Sequence, residues 1–215
     1  MVPSSRISAD QDRDLQGLQR RRKHTFRAGC VLGVLLLLVT DSRWRTSNPH
    51  LYHLIEHGST FLIVLCIMGR TWCTLYIGGL KKRELVRKGP YSVVRNPLYT
   101  FTIIGAVGIG AQSGSITTAL IFAVASLLIF CVVVREEERF LAATFANAFA
   151  DYTARVPRFW PRFSQWQDAN ELVVKPHLVR RTFLDTSLFL LAVPIVDLIE
   201  WGRDLRWLPV VVYLP

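Results

Sequence analysis

Cysteine is scarce in this sequence and methionine scarcer, with four Cys and two Met among 215 residues. Cys30, Cys66, Cys73 and Cys131 lie in or beside apolar runs, and none forms a CxxC pair. That excludes a disulfide framework and a thiolate metal centre, and leaves small hydrophobes that pack. Acidic residues are few as well: 16 Asp and Glu stand against 26 Lys and Arg, for a net charge of +10. In a soluble domain that excess would raise nucleic acid as a partner. Here the positive charges flank apolar runs, so no nucleic-acid partner is expected and anionic lipid headgroups are the simpler counterpart. The N-terminal 25 residues are polar and end in Arg20, Arg21, Arg22 and Lys23. No small-residue cleavage site of the secretory type follows the first apolar run, which reads as a retained span. There is neither an internal repeat nor a low-complexity tract.

What the chain has in abundance is apolar sequence: hydrophobic residues make up 51%, and the mean hydropathy is +0.28. The expected architecture is all-α, a polytopic membrane helical bundle of about five transmembrane helices with a cytoplasmic cofactor pocket. Residues 1–25 form a disordered basic cytoplasmic tail on this reading. Residues 26–201 form the transmembrane domain and 202–215 a C-terminal loop. The spans fall at roughly 26–40, 51–77, 99–111, 116–134 and 182–201. A turn of four residues, Gln112 to Ser115, makes a tight hairpin of the third and fourth. The fourth helix continues past the membrane, because Glu137, Leu141, Phe145 and Phe149 recur at helical spacing until Val156-Pro157 stops it.

Positive charge orients the bundle. Seven Lys and Arg precede the first span, six lie in the 78–98 loop, eight follow the fourth span, and the hairpin turn has none. An N-terminus on the cytoplasmic side of a bacterial inner membrane satisfies every loop. The 78–98 loop and the 135–181 segment then share one face.

Those two segments carry the candidate chemistry. Gly89-Pro90-Tyr91-Ser92-Val93-Val94-Arg95-Asn96-Pro97-Leu98-Tyr99 is irregular, basic and aromatic at a membrane surface, where such backbone is tolerated if it lines a cavity. Arg95 suits a carboxylate, and Tyr91 and Tyr99 suit stacking or hydrogen bonding. The bland alternative is a loop with a snorkelling arginine and interfacial tyrosines. Arg135-Glu136-Glu137-Glu138 places carboxylates at a membrane boundary, where they are functional candidates; the alternative is a solvated charged turn. Asp151 to Pro161 reads equally as an aromatic and basic interfacial anchor.

In order and spacing these motifs resemble the membrane methyltransferases that include isoprenylcysteine carboxyl methyltransferases and phospholipid N-methyltransferases. The matching residues are Gly89-Pro90-Tyr91 with Arg95, Pro97 and Tyr99, then Glu137-Glu138 with Leu141, Phe145 and Tyr152, then Arg155-Val156-Pro157 and Pro161. The resemblance covers roughly residues 70–162. Three positions depart from the pattern: Asn96 replaces a histidine, Ala146 a glycine and Phe149 a tyrosine. Asparagine keeps hydrogen-bonding capacity but takes no proton.

The resemblance implies S-adenosylmethionine as cofactor. Tyr91, Arg95, Asn96, Pro97, Leu98, Tyr99, Glu137 and Glu138 would form its pocket, with Arg95 and Asn96 on its carboxylate and Glu137 or Glu138 on its amino group. Arg155 would orient the acceptor, and Arg95, Arg155 and Glu137 would be the catalytic residues. The implied partner is a lipid or isoprenoid-type substrate entering from the membrane, with carboxylate O-methylation favoured over amine N-methylation. Reductase-like and non-catalytic membrane proteins share this architecture.

Two rival motifs are weaker. His53-Leu54-Ile55-Glu56-His57 matches the HxxEH zinc-protease pattern but has no evident third ligand, and no metal is expected. Gly105, Gly108 and Gly110 follow no strand, so they read as close helix packing rather than a nucleotide loop.

Overall fold

A computed structural model describes residue 29, residues 31–78 and residues 84–215. The expected tail at 1–25 and part of the 78–98 loop lie outside the described residues. The chain divides after Leu36 into two units. In the first, residues 31–36 are the start of a helix, α1 (31–39). The second holds everything that follows.

In the second unit, β1 (Thr40–Ser42) and the one-turn α2 (Trp44–Ser47) lead into α3 (Pro49–Ile77). Asn48 starts α3 by accepting the Leu51 N–H at 3.2 Å, with Pro49 at the first helical position. A short α4 (Pro90–Val93) precedes α5 (Pro97–Ala111) and α6 (Ile116–Arg155). Ser115 caps α6 through the Thr118 N–H at 3.2 Å. Then come α7 (Pro176–Ser187), a 3₁₀ turn at Leu188–Leu191, α8 (Ala192–Asp204) and β2 (Val212–Leu214).

Among the described residues, three stretches are long and apolar enough to cross a membrane: Pro49–Ile77, Ile116–Arg155 and Pro176–Asp204. α5 is apolar but shorter, about 22 Å at the helical rise. The chain is therefore a polytopic helical membrane protein. The last span begins at Pro176 rather than near Thr182, because proline at the first helical turn starts a helix without losing a hydrogen bond.

α5 packs between α3 and α6, and α7 packs against α3. The α5 glycines make this close. A methyl group on Gly108 would stand 2.9 Å from the Ser59 carbonyl oxygen of α3. One on Gly110 would stand 2.8 Å from the Thr118 carbonyl oxygen of α6. The packing reading of these glycines holds. Arg70, inside α3, donates from Nε to the Thr186 hydroxyl of α7 at 3.1 Å and from a terminal nitrogen to Thr102 of α5.

At the end of the bundle away from α4, the segment expected to be a plain loop is ordered. β2 pairs parallel with β1, Thr40 opposite Val212. The Pro215 carbonyl oxygen accepts from the Ser115 hydroxyl at 2.8 Å and the Thr117 N–H at 3.0 Å. Backbone groups beside an apolar bundle need partners, and the C-terminal carbonyl and the buried turn of the hairpin supply them to each other. Buried Arg203 pairs with Asp41 at 3.3 Å in the same cap.

The other correction concerns α6. Its 40 residues are not one straight helix, because Ala146 sits at φ 39° and ψ −116°. That conformation suits glycine and strains any side chain. Leu141, Phe145 and Phe149 nevertheless share one apolar cluster, as their spacing suggested, together with Tyr152, Val156 and Leu85. Ala146→Gly should raise stability by about 1 kcal/mol. A rightward shift in the denaturant midpoint of the detergent-solubilised protein would show it.

Candidate functional site

The site is built where the irregular α4 segment meets the end of α6. Gly89 opens the segment at φ 61°, donating its N–H to Gln167 O at 2.7 Å. Gln167 returns its own N–H to the Ser92 hydroxyl at 3.0 Å. Trp166 stacks on Trp72 with ring centroids 5.4 Å apart, and Asp168 accepts from the Tyr76 hydroxyl at 2.8 Å. That hydrogen bond, with one from the Ala169 N–H, lowers the Asp168 pKa. On the other flank, Arg95 N–H donates to Pro157 O at 2.8 Å and Arg162 N–H to Val93 O at 2.9 Å. The Tyr152 hydroxyl reaches the Tyr91 carbonyl at 2.7 Å. A segment without regular structure is thus held on both sides by backbone bonds from residues far along the chain.

Glu138 is the centre of the charged cluster. Its carboxylate takes a three-point contact from Arg158, closest at 2.6 Å, and an ion pair with Arg95 at 3.2 Å. The bond to Glu138 raises the Arg158 pKa above its ordinary value, against a smaller lowering by burial. The Asn96 amide sits at 3.5 Å from the same carboxylate and 3.4 Å from Arg158 O. Glu137 takes a different direction and accepts from the buried Tyr99 hydroxyl at 2.9 Å. Pro97 starts α5 beneath the cluster, and Leu98 packs with Cys73, Tyr76 and Tyr91.

On this segment the buried Tyr91 hydroxyl and Arg95 Nε have no hydrogen-bond partner, and neither do Trp44 Nε1, the Thr118 hydroxyl and Arg203 Nε elsewhere among the described residues. Burial raises the Tyr91 pKa well above its ordinary value, with smaller contributions from Cys73, Tyr152, Glu137 and Tyr99, so the hydroxyl stays protonated and able to donate. Unsatisfied donors of this kind are costly and mark places where a ligand completes the hydrogen bonding. Arg95 also lines a cleft of about 380 Å³, with Arg135, Glu138, Arg139, Phe149 and Arg158.

The arrangement brings Tyr91, Arg95, Asn96, Tyr99, Glu137 and Glu138 into one region, as the resemblance implied. It does not gather Arg155. That side chain is exposed and donates to Asp151 O of its own helix at 3.2 Å. Arg158 enters the cluster instead, because the chain leaves helical geometry at Val156 and Pro157 and swings the next arginine inward. The sequence places both arginines in one short stretch and offers no sign of which one turns in. Glu138 also differs from expectation: its acceptor positions are filled by Arg95, Asn96 and Arg158, so it orients guanidinium groups rather than presenting a bare carboxylate.

The zinc-protease pattern lies in the first turns of α3. His53 Nδ1 is 3.0 Å from Glu56, and the His53 and His57 rings stack at 6.3 Å. No group of three or more potential metal ligands occurs among the described residues.

A family model described as phospholipid methyltransferase matches residues 52–148, a span that takes in α3, the α4 segment, the hairpin and the glutamates of α6. The chain belongs to this family. It is also 40% identical to the nickel-cobalt-cadmium resistance protein NccN of Alcaligenes xylosoxydans xylosoxydans, over 92% of each chain. It is 35% identical to the cobalt-zinc-cadmium resistance protein CzcN of Cupriavidus metallidurans, over 92% of this chain and 90% of that one. No solved structure matches it. The family match ends at residue 148, so Arg158 comes to the site from outside the matched region.

Proposed function

We propose that this protein is an S-adenosylmethionine-dependent methyltransferase of the membrane, acting on a lipidic or prenylated acceptor, with a carboxylate the favoured methyl acceptor. Its N-terminus and site face the cytoplasm across a bacterial inner membrane. The observation that carries the reading is Arg95, which lines an arginine-rich cleft while its buried Nε lacks a partner, on the segment that also carries the unsatisfied Tyr91 hydroxyl. The donor set fits the amino-acid end of the cofactor, whose carboxylate takes guanidinium and amide donors. When bound, the cofactor supplies a methyl group on a sulfonium, ready for displacement. Such a reaction needs alignment and exclusion of water more than a covalent nucleophile.

The residues of the chain divide that work. Arg95 and Asn96 hold the carboxylate, and Glu138 with Arg158 fixes the Arg95 guanidinium. Tyr91 donates from the floor of the site. Glu137, held by Tyr99, is the carboxylate nearest to hand for the cofactor's ammonium group. Asn96 takes no proton, so any proton released by the acceptor leaves by another route. A carboxylate acceptor releases none, which favours it over an amine.

Calorimetric titration of the detergent-purified protein tests this. S-adenosylmethionine should bind saturably, reduced nicotinamide cofactor should not, and Arg95→Ala and Glu137→Gln should each weaken binding about tenfold or more. Absence of binding to a folded, monodisperse sample would sink the reading and favour a reductase-like or non-catalytic role.

The full-length similarity to NccN and CzcN supports a second, cellular statement: the methyl transfer serves resistance to nickel, cobalt, zinc or cadmium. Deleting the gene should then lower the host's tolerance to these ions, and an Arg95→Ala copy should fail to restore it. Full rescue by that variant would separate resistance from methyl transfer.

A further inference from the structure

We propose that residues 158–161 form a wedge that enters the bilayer beside the site, with Trp160 seated in the interfacial layer of lipid. The loop is short and pinned on both sides. Arg95 N–H donates to Pro157 O at 2.8 Å before it, and Arg162 N–H donates to Val93 O at 2.9 Å after it. Four residues protrude between those two bonds, and their side chains part. Arg158 turns back to Glu138 at 2.6 Å. Phe159 packs against the buried cluster of Tyr99, Phe130 and Val134. Trp160 is left 85% exposed.

Phe159 fixes the depth of the loop. Phe130 and Val134 belong to the apolar run of α6, which ends where Arg135-Glu136-Glu137-Glu138 begins. Their neighbours Leu128 and Val132 are more than half exposed, as side chains that face lipid are. A loop standing in water above the bilayer could not lay Phe159 on that cluster. The wedge therefore lies beside the last apolar turns of α6, at the level where tryptophan is favoured for its apolar rings and single polar N–H. A lone exposed tryptophan elsewhere on a surface would carry no such meaning.

The backbone suits this depth. Irregular chain near lipid is costly unless its polar groups find partners. Pro157 and Pro161 have no N–H to satisfy. The Pro157 carbonyl accepts from Arg95, and the Arg158 carbonyl accepts from the Asn96 amide at 3.4 Å. Arg158 keeps its charge out of lipid by reaching Glu138. The arginine that completes the charged cluster is thus carried on a loop held by the membrane, and this contact does not depend on methyl transfer.

The test uses the full chain labelled with 5-fluorotryptophan in phosphatidylcholine nanodiscs. The fluorine resonance lost in Trp160→Phe reports on this residue. A phospholipid with a nitroxide near the top of its acyl chain should broaden that resonance about threefold more than a water-soluble gadolinium chelate does. The reverse order of broadening would overturn the proposal. A second measurement follows the loop itself. Trp160→Asp should leave the interface, so that trypsin cuts after Arg158 about fivefold faster than in the unsubstituted protein, while Trp160→Tyr is cut at the unsubstituted rate. An unaltered rate in a folded Trp160→Asp protein would also overturn the wedge. Where Trp160→Asp fails to fold, the fluorine measurement, which needs only the conservative variant, decides the contact.

Discussion

Glu138→Gln is expected to cost about 3 kcal/mol of stability and to abolish measurable binding of S-adenosylmethionine. The substitution keeps the shape of the side chain but removes the charge that Arg95 and Arg158 share. Two guanidiniums would then face each other across a partly buried site, with the Arg95 side chain 15% and the Arg158 side chain 39% exposed. The cost lies at the low end for a buried pair because Arg158 can turn toward water. The denaturant midpoint in detergent reads the stability, and calorimetry reads the binding. Adding Arg158→Gln should recover part of the lost stability, since it removes one of the two orphaned charges. A double variant whose loss is the sum of the two single losses would argue against the shared ion cluster.

Gly89→Ala should be of similar or larger effect, about 3 kcal/mol or more, and should act through the shape of the site rather than its charge. At φ 61° and ψ −133° the backbone has a conformation that side chains rarely adopt. A methyl group there would stand 2.2 Å from the Tyr76 ring. Tyr76 is packed with Cys73 and Tyr91 and is bonded to Asp168, so it has little room to withdraw. The segment carrying Tyr91 and Arg95 would shift, and cofactor binding should fall with stability. A Gly89→Ala protein with an unaltered denaturant midpoint and unaltered binding would show that this turn is not held as described.

Much of this organisation was legible in the residues. Apolar runs broken by Pro, Asn and Ser located α3, α5 and α6 within a few residues, because a helix in lipid must satisfy its own backbone and can end only at such signals. The four-residue turn between α5 and α6 was equally plain. So was the convergence of the Gly89–Tyr99 segment with the glutamates of α6, through the resemblance to a known family.

Other features were not legible, for stated physical reasons. The break at Ala146 leaves no mark in the hydrophobic spacing, and alanine is a good helix former; its one trace is the family glycine that Ala146 replaces. The pairing of β1 with β2 joins segments about 170 residues apart, too short to carry a strand pattern.

The sequence by itself determined helices α3, α5 and α6 and the hairpin between the last two, because these follow from local hydropathy, caps and spacing. Only the tertiary structure decided that Arg158 rather than Arg155 completes the cluster and that Glu138 is saturated. Those outcomes depend on the direction in which the chain leaves a helix and on which charges find one another across the bundle. Neither is encoded in the spacing of any one segment.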